Sequence, residues 1–337
     1  MKILVIQTAF PGDAILTLPL IQEISKQYQN SEIDILCIPS TKILFDASPY
    51  IKNVIVYDKR KIDKGFFAFF RLAKKLKQNK YNKIISPHRS ARSSLLAFFS
   101  GAKERVSFDK SSLAFLYNKK IKYHTDWHEV RRNLSLLGED YSESWKILPE
   151  ILITKEIKKH VEGLFSHVDF NKLIVIAPGS VWETKKYPIE YFQKICDELV
   201  KNSYEIIVIG GKEDSRLAEI LVKNNPKIIN SCGQLNFLHS IYLIKLSRLL
   251  ICNDSAPTHL GMATDSSVLT IYCSTIPKFG FYPYNAKSKP ISFDKLDCKP
   301  CGIHGHIKCP KEHFKCGFEL KPSQVLEEIY LMLEAGH

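Results

Sequence analysis

The chain has 337 residues, enough for two domains of ordinary size that each bury a core. Apolar residues at 45% and charged residues at 25% are those of a globular chain, and no run of about 18 apolar residues marks a bilayer span. The formal net charge of +13 implies attraction to anionic partners, but no zinc-finger spacing or RNA-binding aromatic signature accompanies it. Nucleic acid is therefore set aside, which leaves an anionic membrane face or an anionic small substrate. Met1-Lys2 leads directly into Ile3-Leu4-Val5-Ile6, too short for a signal peptide, so a cytoplasmic location is expected.

In chain order, short β-branched runs predict strands over 3–6, 33–38, 54–57, 83–86 and 105–106, and helical periodicity predicts helices over 14–28, 65–77, 89–99 and 127–137. A charge-rich stretch, 154–171, precedes a fresh strand over 173–177, and the domain change is placed there. Helices follow over 188–200, 213–223, 237–246 and 255–263, with strands over 205–209, 249–252 and 268–272. Repeated strand-helix traffic means parallel sheets covered on both faces. The expectation is an α/β protein with two doubly wound, Rossmann-like domains facing a cleft: 1–168, 169–320, and a helix within 321–337 that can cross back to the first domain.

Ligands of such sheets gather beyond the carboxyl ends of the strands, and the polar loops of this sequence occupy that position. Gln7-Thr8-Ala9-Phe10-Pro11-Gly12-Asp13 closes the first strand, with Gly12 for close approach and Asp13 as a helix N-cap or as a base for a bound hydroxyl. Pro178-Gly179-Ser180 and Lys185-Lys186-Tyr187-Pro188 suit a diphosphate. Gly210-Gly211-Lys212-Glu213-Asp214 offers carboxylates for ribose hydroxyls, and Ser231-Cys232-Gly233-Gln234 can border a purine. Asn253-Asp254-Ser255-Ala256-Pro257-Thr258-His259 reads as a strand end followed by a helix whose free amides seat a phosphate. In that segment Asp254 or Ser255 caps the helix and His259 faces the ligand or packs in the core. Arg89 and Arg92, after a first-domain strand, can meet the phosphates or carboxylates of a ligand or are solvated.

Cys298, Cys301, Cys309 and Cys316 crowd a polar stretch with His304, His306 and His313, a composition that fits structural zinc or a loop packed by free thiols. The first pair is a CxxC, but the seven- and six-residue gaps that follow are looser than usual for a structural site. The remaining cysteines lie in or beside apolar segments and read as small buried side chains.

The motifs Gly12-Asp13-Ala14-Ile15-Leu16, Gly101-Ala102-Lys103-Glu104-Arg105-Val106, His128-Glu129-Val130, Pro178-Gly179-Ser180, Lys185-Lys186-Tyr187-Pro188, Gly210-Gly211-Lys212-Glu213-Asp214 and the segment 253–259 span nearly the whole chain. In that order they resemble the ADP-heptose:lipopolysaccharide heptosyltransferases. Cys298-Lys299-Pro300-Cys301 with Cys309-Pro310 and Cys316 resembles the cysteine-bearing tail of the type II branch. The resemblance implies a B-type glycosyltransferase fold, inversion at the sugar carbon and no required divalent cation. It also implies ADP-L-glycero-β-D-manno-heptose as donor and, as acceptor, a lipid-linked inner core that already bears a first heptose. Asp13 matches the family's base and Lys185 the lysine near the donor phosphates. Asp254, Ser255, Ala256 and His259 match the donor-contacting segment, with Ser180 beside it, and Glu213 matches the ribose carboxylate unless the match slips to Asp214. Ala256 stands where glycine is commoner and Tyr187 where tryptophan is usual, which leaves donor specificity open. A transient contact with the cytoplasmic face of the inner membrane follows from such an acceptor. The competing readings are a transferase of another nucleotide sugar, a sugar-nucleotide epimerase, and a non-catalytic binder of anionic glycolipid.

Overall fold

The computed structural model describes residues 1–335 apart from Arg60, Ile62, Lys64, Glu139 and Asp140. The chain forms two compact units, Met1–Leu152 and Ile153–His337. In the first, β1 (Lys2–Gln7), β2 (Glu32–Cys37), β3 (Asn53–Val56), β4 (Lys83–Ser86), β5 (Glu104–Phe108) and β6 (Lys119–Ile121) form one sheet in the order β3-β2-β1-β4-β5-β6. Every pairing is parallel. The central β1, Lys-Ile-Leu-Val-Ile-Gln, is buried on both faces after its first residue, as a parallel strand covered by helices requires. Leu4, Ile6, Leu36, Ile84 and Leu96 belong to one apolar cluster.

The second unit repeats the plan with β7 (Leu173–Ala177), β8 (Glu205–Val208), β9 (Ile228–Asn230), β10 (Leu249–Asn253), β11 (Val268–Tyr272) and β12 (Lys289–Ser292). Their order is β12-β11-β10-β7-β8-β9, again all parallel. Counted within each unit, both sheets follow the order 3-2-1-4-5-6, so both are Rossmann-like. Ile174, Ile176, Ile206, Val208, Ile251 and Ile271 build this second core.

Two boundaries differ from the sequence expectation. The helix Lys155–Leu164 belongs to the second unit, which therefore begins at Ile153, ahead of the 168/169 division. Amphipathic packing decides this: Val161 is buried, His160 stacks on His239 with ring centroids 4.5 Å apart, and the Tyr242 hydroxyl donates to Glu162. The C-terminal helix Pro322–Ala335 stays with the second unit, packing on Ile189–Lys201 and sinking Val325, Ile329 and Leu333 into its core. Arg248 Nη2 fixes it from below by donating to the Leu333 carbonyl at 2.9 Å. β6, β9 and β12 lie outside the predicted strands because they are sheet edges of only three or four residues. No helix among the described residues is long and apolar enough to cross a membrane.

Candidate active site

Where β7 and β10 lie side by side, their outgoing connections run to opposite sides of the sheet, and the turns that follow them part. Asn253, the last residue of β10, binds those turns together. Its Nδ2 donates to the Pro178 carbonyl at 2.7 Å, and its Oδ1 accepts from the Tyr187 amide at 2.9 Å. Ser255 Oγ adds a bond to the Gly179 carbonyl at 3.3 Å. The sequence segments 178–180, 185–187 and 253–255 thus become one polar shelf at the carboxyl end of the sheet.

Lys185 and Asp254 meet on that shelf. Nζ lies 2.7 Å from Asp254 Oδ2, with the side chains only 14% and 9% exposed. The same oxygen accepts from Thr275 Oγ1 at 2.6 Å, so the carboxylate carries two donors. Such a pair is costly to break from one side, because the surviving charge stays desolvated. The following helix, Ala256–Met262, is only seven residues long, and neither predicted cap operates. Ser255 occupies the N-cap position but turns its hydroxyl to Gly179 and Asn253, while Asp254 is taken up by Lys185 and Thr275. Pro257 also withdraws one amide from this end. Ala256 is half-buried at the first helical position.

His259 is fully enclosed beneath this turn, and its Nδ1 has no hydrogen-bond partner. Burial pushes its pKa down to about 4; the Lys185 charge acts in the same direction and the Asp254 charge opposes it. The ring is therefore neutral at pH 7. His259 is a core histidine by enclosure and a neighbour of the Lys185–Asp254 pair by electrostatics.

The loop after β8 separates the two carboxylates that the sequence could not. Asp214 Oδ2 accepts from the Gly211 amide at 3.0 Å, so this side chain builds the loop. Its acidity is weakened mainly by burial, against which the Gly211 bond works. A Cβ on Gly179 would sit 2.1 Å from Asp214 Oδ1, so glycine at 179 is what lets the two loops close on each other. Glu213 is exposed, and its carboxylate lies against Gly211, where an added Cβ would sit 2.4 Å from Oε2. The Gly233 amide donates to the Gly210 carbonyl at 2.9 Å, which brings the turn 231–234 to the same edge. Ser180 is half-buried, its Oγ accepting from Trp182 N at 3.4 Å.

In the first unit, Asp13 is the third residue of the helix Pro11–Gln27, whose N-cap is Phe10. Asp13 thus lies in the positive first turn without being the cap, because Pro11 starts the helix as soon as the chain leaves the strand. The Asp13 backbone carbonyl accepts from Thr17 Oγ1 at 2.8 Å, and Thr17 in turn accepts from Gln7 Nε2 at 2.9 Å, fixing the turn to β1. Gly12 is half-buried beside it. Across the β1/β4 junction, Thr8 Oγ1 meets His88 Nδ1 at 2.9 Å. Burial lowers the His88 pKa to about 4, with Lys59 and Arg89 adding to the effect.

Arg89 stacks on Tyr123, its guanidinium carbon 3.9 Å from the ring centroid, and Arg132 approaches the same ring at 5.1 Å. Arg132 Nε donates to Glu129 Oε2 at 2.7 Å in a buried pair. Burial raises the Tyr123 pKa, the charges of Glu129 and Asp13 raise it further, and Arg132 and Arg89 lower it. Asp13, Arg89, Tyr123, Glu129 and Arg132 therefore share one electrostatic neighbourhood. Arg92 is exposed on the helix Ala91–Phe99. Sequence reasoning missed Tyr123, His88, Arg132 and Thr275; the His128-Glu129-Val130 motif was the one signal for any of this group.

Among the described residues no three His, Cys, Asp or Glu side chains come together so as to hold a metal ion, those of Cys298, Cys301, Cys309 and Cys316 included. All four are free thiols. Hydrogen bonds tie the loop to its neighbours. Thr184 N donates to the His306 carbonyl at 3.0 Å, His306 N donates to Thr184 Oγ1 at 2.8 Å, and Cys301 N donates to the Ser274 carbonyl at 3.0 Å. A Cβ on Gly305 would come within 3.2 Å of Lys185 Cγ, so the cysteine loop is laid against the lysine turn.

A family model described as glycosyltransferase family 9 (heptosyltransferase) matches residues 69–311. A lipooligosaccharide heptosyltransferase 2 of Campylobacter jejuni is 26% identical, over 98% of this chain and 98% of that protein. Among solved structures, a family 9 glycosyl transferase of Veillonella parvula superposes with a TM-score of 0.87 at 22% identity, over 99% of this chain and 97% of that one. The ADP-heptose lipopolysaccharide heptosyltransferase II of Escherichia coli superposes with a TM-score of 0.81 at 19% identity, over 99% of both chains. With its two 3-2-1-4-5-6 sheets, the B-type glycosyltransferase fold and a match over most of its length, this chain belongs to glycosyltransferase family 9, the heptosyltransferases.

Proposed function

We propose that this glycosyltransferase moves heptose from ADP-L-glycero-β-D-manno-heptose to the lipid-linked inner core of lipopolysaccharide, adding the second heptose with inversion, at the cytoplasmic face of the inner membrane. The observation that carries the donor half is the Lys185–Asp254 pair on the β7/β10 shelf. An ammonium held by one carboxylate at a sheet's switch point is placed to exchange that partner for a diphosphate. Ser180, Ser255 and Ala256 border the phosphates, Glu213 accepts from ribose hydroxyls, and neutral His259 supports the shelf from below.

In this reading Asp13 takes the proton of the acceptor hydroxyl as that oxygen bonds to the anomeric carbon. The bond from that carbon to the ADP oxygen breaks, and ADP leaves with the electron pair. Inversion follows from the single displacement. Lys185 meets the negative charge that grows on the phosphate, and the effect exceeds that in water because the pair is largely desolvated. Gly12 lets the acceptor approach, and Arg89 and Arg92 meet its anionic groups. Charge neutralisation falls to these side chains, so turnover is expected to continue in the presence of a chelator.

Mass-resolved transfer from a panel of nucleotide sugars to purified truncated inner cores tests the reading. Product should form from ADP-heptose on the core with one heptose, with α/β configuration opposite to that of the donor. Product formed only from a different nucleotide sugar, or tight glycolipid binding with no product, would overturn it.

A further inference from the structure

The first unit carries an aromatic patch that none of the chemistry above uses. On the helix Phe66–Gln78, Phe66 and Phe67 are 71% and 89% exposed, and Phe70 is also exposed. Phe98 and Phe99, at the end of the neighbouring helix Ala91–Phe99, are exposed as well. They form one surface: ring centroids are 4.5 Å apart for Phe66 and Phe70, 5.4 Å for Phe70 and Phe99, and 5.5 Å for Phe98 and Phe99. Scattered apolar residues on a surface are ordinary, but five contiguous phenylalanines are not.

Charge says what covers them. Residues 64–103 contain no Asp or Glu, while Arg71, Lys74, Lys75, Lys77, Lys80 and Lys103 lie among them. Lys74 and Lys77 are exposed on the turns that follow Phe67 and Phe70, and Lys77 lies against Gly101, just past Phe99. Arg105 sits at the patch edge, its guanidinium carbon 5.8 Å from the Phe98 centroid. Apolar rings flanked by cations with no acid among them match the boundary of an anionic bilayer, where rings enter the acyl region and ammonium groups meet lipid phosphates.

We propose that Phe66, Phe67, Phe70, Phe98 and Phe99, with Lys74 and Lys77, dock the first unit on an anionic membrane surface. The docking face is independent of which sugar is transferred, and vesicle binding reads it without donor or acceptor. Co-sedimentation of the full chain with vesicles of phosphatidylethanolamine and phosphatidylglycerol should show binding that weakens with salt and is lost on phosphatidylcholine vesicles. At about 1 kcal/mol per surface cation, Lys74→Gln with Lys77→Gln should lower the partition coefficient by roughly tenfold or more. Phe66→Ser with Phe67→Ser should lower it by a similar factor, with circular dichroism and ADP affinity unchanged. Transfer to a delipidated acceptor should survive both double variants, which separates loss of docking from loss of catalysis. Equal binding to both vesicle types, unchanged binding of both variants, or dimerisation through the phenylalanines without vesicle binding would overturn the proposal.

Discussion

At the switch point of the second unit a cation is locked to a carboxylate, Lys185 on Asp254 at 2.7 Å, with a neutral histidine packed beneath. At that of the first unit a carboxylate, Asp13, stands in the first turn of a helix among Arg89, Arg132 and the ring of Tyr123. The strand order is the same in both sheets, so topology does not distinguish them. The difference lies in the first few residues after each central strand. One loop set pairs a cation with a single buried carboxylate, the other keeps a carboxylate in cationic surroundings. One fold used twice thereby supports the division of labour proposed between donor and acceptor.

The largest break in that comparison should come from Asp13→Ala. Loss of a positioned base typically costs roughly 10²–10⁴ in rate. ADP affinity, which the reading assigns to the other unit, should stay near that of the parent. Steady-state transfer and calorimetry on the same preparation check both halves, and equal rates for folded variant and parent would remove Asp13 from the chemistry.

Acid should expose a feature that the two units share. His259 and His88 are both held at a pKa of about 4 by burial, against 6.5 for a free imidazole. Between about pH 6.5 and 4 the unfolded chain binds these protons and the folded chain does not, so stability falls as pH falls through that window. Each histidine contributes on the order of 3 kcal/mol across it. Urea unfolding as a function of pH should show this loss, and His259→Gln should flatten the slope more than any exposed histidine substitution.

Much of this comparison was legible in the sequence, and the limit has a physical cause. Apolar runs such as Ile3–Ile6 located the central strands, because strands buried on both faces must be continuously hydrophobic. Glycine and charge after each run marked the loops, and Asp13, Lys185 and Asp254 were all singled out from them. What the sequence withheld was partnership. Lys185 finds Asp254 only because β7 and β10 become neighbours, and Arg89 finds Tyr123 only after β4, β5 and β6 align. Capping failed for a local reason: Ser255 and Asp254 have the right chemistry for a cap, but stronger partners from other loops claim their oxygens. Edge strands such as β12 were lost because lysine and proline suppress the periodic signal.

A smaller effect should follow from Lys185→Ala. A charge-assisted phosphate contact is worth about 1.5–3 kcal/mol, so ADP affinity should drop by roughly 10- to 150-fold. Removing the cation also strands Asp254, and thermal stability should fall with it. Lys185→Ala combined with Asp254→Asn should recover stability but not ADP affinity. Recovery of both would make the pair purely structural, and unchanged ADP affinity in the single variant would end the donor role.

The smallest effect concerns the cysteine loop, which sharpens the contrast because it lies against the lysine turn. Thr184→Val removes the acceptor of the His306 amide and the donor to Ser274 Oγ at 3.0 Å. Two partly buried hydrogen bonds contribute about 1 kcal/mol each, so stability should fall by roughly 2 kcal/mol at most. Lys185 keeps its bond to Asp254 in this variant, so ADP affinity should change by no more than a few-fold. Alkylation in the native state provides the local readout. Cys298, Cys301 and Cys309 are half-buried, whereas Cys37, Cys196, Cys252 and Cys273 are enclosed, with thiols that burial pushes to a pKa of about 12 or above. Iodoacetamide should therefore modify the first three and spare the other four, since only an accessible thiolate reacts. In Thr184→Val the first three should react faster as the loop loosens while the rest stay protected. Uniform acceleration at all seven would place the effect of Thr184 on the whole unit instead of on the loop.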